Sequence, residues 1–122
     1  MKLFRRGYVM TLNRVHDIVT IREADEKITL TVNGDAMHMV AGLTKAQAKM
    51  KGITDETPDD EVREVAEYLA AVIFGKDQAA QLMTFYADDP GCVITVCGRY
   101  FRERLAGKIT AAQKRMKGAE TV

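Results

Sequence analysis

Lys27-Ile28-Thr29-Leu30-Thr31-Val32-Asn33-Gly34 decides how this chain is read. Apolar Ile28, Leu30 and Val32 alternate with polar Thr29, Thr31 and Asn33, the period of two that a half-buried strand requires. Upstream, Val15, Ile18, Val19, Thr20 and Ile21 cluster between Arg14 and Arg22 and predict a second, β-branched strand. The polar link Glu23-Ala24-Asp25-Glu26 is short enough to join the two as a hairpin. Downstream, Asn33-Gly34 is the dipeptide a type I′ turn favours, because both central residues need positive φ. It predicts a third short strand through Met37, His38, Met39 and Val40, so strands are expected across 14–41.

After Gly42 the period becomes helical. Leu43-Thr44-Lys45 leads into Ala46–Lys51, which ends at Gly52. The next helix start is well marked, with Thr57 as N-cap, Pro58 at the first position and Asp59, Asp60 and Glu61 in the first turn. Val62, Val65, Ala66, Leu69, Val72 and Ile73 supply its apolar stripe and Gly75 its end. A shorter helix is expected over Asp77–Tyr86. Asp88-Asp89-Pro90 then opens a last one to about Leu105, with Val93, Val96, Cys97, Tyr100, Phe101 and Leu105 facing inward. Gly107 either breaks that helix or lets it run on through Ile109, Ala112 and Met116 as a basic tail. Strands first and helices after make an α+β fold: an antiparallel hairpin or meander followed by a bundle of about four helices. The chain has 122 residues, room for one core. The expected layout is an N-terminal extension over 1–13, one domain over 14–117 with helices in 43–117, and a tail over 118–122.

Lys and Arg total 18 and Asp and Glu 17, a net charge of +1 that exerts no global pull on nucleic acid or an anionic membrane. The charge is polarised along the chain. Asp55, Glu56, Asp59, Asp60, Glu61, Glu64 and Glu67 surround a lone Arg63. Arg99, Arg102, Arg104, Lys108, Lys114, Arg115 and Lys117 are opposed by Glu103. Each run is either the solvated face of a helix or a self-association face, in which Asp59, Asp60, Glu64 and Glu67 of one copy meet Arg99 and Arg102 of another. The second reading predicts a homo-oligomer.

Cys92 and Cys97 have no disulfide or zinc spacing, which predicts free thiols and a reducing cytoplasm. Met1–Gly7 lacks the apolar core of a signal peptide, and no uncharged stretch approaches the roughly 18 residues of a membrane span. A cytoplasmic protein with no membrane association is expected.

His16 and His38 have no Ser, Cys or second His at a useful spacing, the glycines form no phosphate-binding loop, and the acidic run is explained by helix capping. No catalytic residue, metal ligand or cofactor site is therefore expected, and the chain is not read as an enzyme. Ala48 and Gly52 have the spacing of a helix-turn-helix turn. Asp55, Glu56, Pro58, Asp59 and Asp60 follow where a recognition helix should enter the groove, so nucleic-acid binding is not expected from that motif. Met37, Met39, Met50 and Met83 are either core fillers or, with the basic Lys108, Lys114, Arg115 and Lys117, a partner-binding face.

Ala71-Val72-Ile73-Phe74-Gly75-Lys76-Asp77-Gln78-Ala79 is followed by Leu82, Phe85-Tyr86, Asp89-Pro90 and Val93-Ile94-Thr95-Val96-Cys97-Gly98-Arg99-Tyr100-Phe101. With Val32-Asn33-Gly34 before it and the basic Lys108–Lys117 after it, this pattern resembles the tail assembly chaperones of long-tailed phages and prophages. The resemblance covers roughly Lys27 to Lys117 and rests on helix-packing patterns. It implies a non-enzymatic helper in the bacterial host cell that coats the apolar-rich tape measure protein until tail tube protein displaces it. In that family a longer frameshifted product is often made as well. The competing expectations are a small oligomeric connector protein of the virion and a basic-tailed nucleic-acid-binding module.

Overall fold

The computed structural model describes residues 14–121. The extension expected over 1–13 and the last residue of the expected tail lie outside the described residues. Strands β1 (Arg14–Glu23) and β2 (Glu26–Asp35) pair antiparallel, in register from Arg14 opposite Asp35 to Glu23 opposite Glu26. Ala24, with φ 52°, opens the two-residue turn between them. Val15, Leu30 and Val32 are fully buried on the inner face, and the outer face is polar except for Ile18, which is 66% exposed.

The third strand does not form. Asn33 and Gly34 stay in β2, opposite His16 and Val15, and Met37–Val40 belong to the first turns of helix α1 (Ala36–Lys51). Strands thus occupy 14–35 instead of 14–41, and helix begins at Ala36 instead of Leu43. The cause is Asp35, whose Oδ1 accepts the backbone N–H groups of Met37 (2.8 Å) and His38 (3.1 Å). Two of the donors a helix start leaves unpaired are satisfied at once. A helical period also buries Ala36, Met39, Leu43 and Ala46 on one side, which a strand period would not. A Cβ on Gly34 would lie 2.9 Å from Met39 Cε, the mobile end of a flexible side chain that can give way.

Helix α2 (Asp59–Phe74) buries Ala66, Leu69, Ala70, Ile73 and Phe74, whereas Val62 and Val65 are half-buried at its N-terminal end. Thr57 is not its cap. Pro58 holds that position without a side-chain bond, and Thr57 Oγ1 accepts the Thr54 N–H (2.8 Å), securing the preceding loop. Gly75, at φ 88°, turns the chain into α3 (Lys76–Phe85), a conformation that favours glycine. Helix α4 (Pro90–Tyr100) passes through a π-helical turn, Phe101–Leu105, into α5 (Ala106–Thr121), so Gly107 does not break the rod. Asp89 precedes Pro90 as expected, but its side chain caps no backbone N–H; its Oδ2 accepts the Cys92 thiol (3.3 Å).

The architecture is α+β: a two-stranded hairpin followed by four helical rods, the last of them α4 through α5. Helix α2 is central, packed on α1, α3 and α4. Phe74 and Tyr100 meet with ring centroids 5.9 Å apart, and Leu30, Leu82 and Leu105 are fully buried around them. No described helix is long and apolar enough to cross a membrane.

Candidate functional site

An exposed two-stranded hairpin invites a partner strand at either edge, yet side chains take up outward backbone groups on both edges at mid-strand. On β2, Gln78 of α3 donates from Nε2 to Thr31 O (2.6 Å) and accepts the Thr31 N–H at Oε1 (2.8 Å), as a neighbouring strand would. On β1, Asp17 Oδ1 accepts the Ile18 N–H (3.1 Å). The same carboxylate receives Tyr100 OH (3.1 Å) and Arg104 Nε (2.9 Å), which fastens β1 to the helical layer. The Arg104 hydrogen bond, with smaller help from Tyr100, holds Asp17 below the usual carboxylate range. Burial, then the bond to Asp17, pushes Tyr100 up. Tyr86 OH donates to Glu23 Oε1 (3.1 Å), and burial with that bond raises Tyr86 to about 12.

The most apolar open surface is a groove of about 160 Å³ between α1 and the π turn. Leu69 and Cys97 form its floor, Val40, Leu43 and Met50 one wall, and Gly98, Phe101 and Ile109 the other. Thr44 and Gln47 are its polar edge, and no charged residue lines it. Burial raises the Cys97 thiol to about 12, so the floor is neutral at physiological pH. A wider cleft of about 350 Å³ lies between β1 and α4, but Arg22, Glu23, Arg99 and Glu103 line it with both signs of charge.

Gly98 is the informative residue of the groove. Glycine inside a helix costs roughly 1 kcal/mol relative to alanine. A Cβ here would meet nothing closer than Arg102 Nη1 at 3.5 Å, an ordinary contact. Internal packing therefore does not require glycine at this point. Gly42 is the contrast, since a Cβ there would meet Val72 Cγ2 at 2.9 Å and α1 would have to move off α2.

The methionines expected on one partner face are divided. Met50 lines the groove, Met37 is half-buried, and Met39 and Met83, each 7% exposed, are core. Lys108, Lys114, Arg115 and Lys117 are exposed along α5, and Asp59, Asp60, Glu64 and Glu67 along α2. Arg102 is exposed beside Gly98, and Arg99 pairs with Glu103 one turn on (3.1 Å). Among the described residues no three His, Cys, Asp or Glu side chains gather in a way that could hold a metal ion. Val40, Leu43, Gly98 and Ile109 were not expected as site residues. The one local signal was Gly98 itself, a glycine inside the apolar run Val93–Phe101. Compared with protein-family models, curated proteins and solved structures, the chain matches none of them.

Proposed function

We propose that this protein is a non-catalytic binding helper of the tail-assembly-chaperone kind. It takes an apolar helical stretch of a tape measure protein into the groove between α1 and the π turn and keeps that partner soluble until tail tube protein displaces it. The observation that carries this reading is the groove: apolar side chains from α1, α2, α4 and α5, no charge in the lining, and an open mouth. Helix-in-groove binding needs such a surface, in which the partner's apolar face replaces water. Gln78, which occupies both outward backbone groups of Thr31 in the middle of β2, favours this mode over strand addition at that edge.

Co-expression with a tape measure protein, followed by size-exclusion chromatography with light scattering, tests the proposal. Soluble co-elution that persists in high salt is expected, because apolar burial is insensitive to ionic strength. Loss of the complex on Met50→Glu, with helicity retained, would assign it to the groove. A fixed ring that ignores the partner would replace the proposal with a connector role. Affinity for DNA or RNA that falls steeply with salt would replace it with nucleic-acid binding.

A further inference from the structure

The groove's uncharged lining is bordered by cationic side chains. Arg102 stands beside Gly98 at one lip, and exposed Lys51 and Lys108 are chain neighbours of the lining residues Met50 and Ile109. Two of the surrounding elements share that sign: α1 has no carboxylate from Ala36 to Lys51, and the rod has none from Arg104 to Gly118. Two acids lie two residues from a lining residue: Glu103, beyond Phe101, is paired with Arg99 and lines the other cleft, and Glu67, before Leu69, is exposed on α2, which gives the groove only its floor. Gly98 leaves room for another backbone to approach, as glycine does where chains cross closely.

Resting on the proposed function, we infer that the groove's occupant is an amphipathic helix that crosses at Gly98 with its apolar face inward and carries Asp or Glu on both flanks. Residues 1–13 fit this description poorly, since they contain Lys2, Arg5 and Arg6 and no acid. A second copy's α2 is acidic, but its apolar stripe faces its own core, so it has no spare apolar face to offer. The occupant is therefore a different chain, chosen by an apolar ridge between acidic borders.

Two synthetic helical peptides test this with the full chain. Both carry the same leucine ridge at i, i+3, i+4 and i+7 spacing; one has glutamates on its flanks and the other lysines. The glutamate peptide is expected to bind about tenfold or more tightly at low salt, with the preference shrinking as salt rises. A triple variant, Lys51→Glu, Arg102→Glu and Lys108→Glu, should reverse the preference. Gly98→Leu should lose both peptides, with circular dichroism checking that the helices persist. If it unfolds, Gly98→Ala, whose Cβ fits the free protein, supplies the reading through a several-fold loss of affinity. Equal binding of the two peptides overturns the charge inference and leaves the proposed function standing; binding of neither overturns both. A dimer of the free chain that peptide dissociates would make a second copy the occupant and overturn the inference.

Discussion

Gln78 reaches from α3 to Thr31 and binds both backbone groups that this residue turns away from β1, while its Nε2 also donates to Phe74 O (2.8 Å). One amide thus ties the hairpin edge to the end of α2. Gln78→Ala leaves two strand groups and one helix carbonyl without this partner, and unsatisfied groups of that kind cost about 1–3 kcal/mol in all where water reaches them in part. Gln78→Glu should cost nearly as much, because a carboxylate cannot donate to Thr31 O or Phe74 O. Urea unfolding of the two variants against the parent measures this. A loss below a few tenths of a kcal/mol in both would mean that the edge is held by the apolar face of the hairpin and not by the amide.

At the scale of elements, two devices set how the helices meet. Gly42 lets α1 approach α2 until Val72 touches its backbone, so Gly42→Ala should destabilise by about 1–3 kcal/mol, the usual cost of overpacking between stiff neighbours. Val72→Ala removes the obstructing methyl groups. In a double-mutant cycle the pair should lose less than the sum of the singles, and strict additivity would contradict the close approach. The second device is the π turn. Buried positions step from Val93 to Cys97 to Tyr100, then five residues to Leu105, then to Ile109 and Ala112. The Ala106 N–H bonds to Phe101 O, so the extra residue is absorbed there. The seam passes over Arg104, whose guanidinium then reaches Asp17 at its edge instead of entering the core. Deleting Arg102 should turn the π turn into α-helix and leave Leu105, Ile109 and Ala112 facing the core, because Leu105 then follows Tyr100 by four residues on the same seam. The deletion variant should therefore melt close to the parent. A loss of about 3 kcal/mol or more, the cost of taking those side chains out of the core, would mean that the turn does not absorb one residue.

Across the whole molecule, what the sequence made legible was what neighbouring residues decide. The alternation of Ile28, Leu30 and Val32, and Gly75 between two helices, stand in the structure as read. Asn33-Gly34 misled because a turn preference is overruled once Asp35 caps a helix and β1 fixes the register of β2. The groove was not legible, because Val40, Leu69, Gly98 and Ile109 come from four helices and no local period joins them. The response to pH is likewise a property of the assembled molecule. Asp17, ordinarily near 3.8, is lowered by Arg104, so its contribution is present above about 4 and lost as pH falls through the lowered value. On the alkaline side, Cys97 rises from 9.0 to about 12 and Tyr86 from 10.0 to about 12, and Tyr100 is raised too. Each folds as a neutral acid, so the stability it adds is full below its ordinary value and is lost as pH climbs from there toward the folded one. The melting temperature should therefore be flat from about pH 4 to about pH 9 and fall on both sides. Asp17→Asn should flatten the acid fall. Cys97→Ala should lower the plateau by leaving a small void and make the fall between about pH 9 and about pH 10 shallower, since the Cys92 thiol, raised chiefly by its bond to Asp89, then acts there without it. A calorimetric pH series on parent and variants decides it, and an alkaline fall whose slope Cys97→Ala leaves unchanged would show that the buried thiol does not govern that limb.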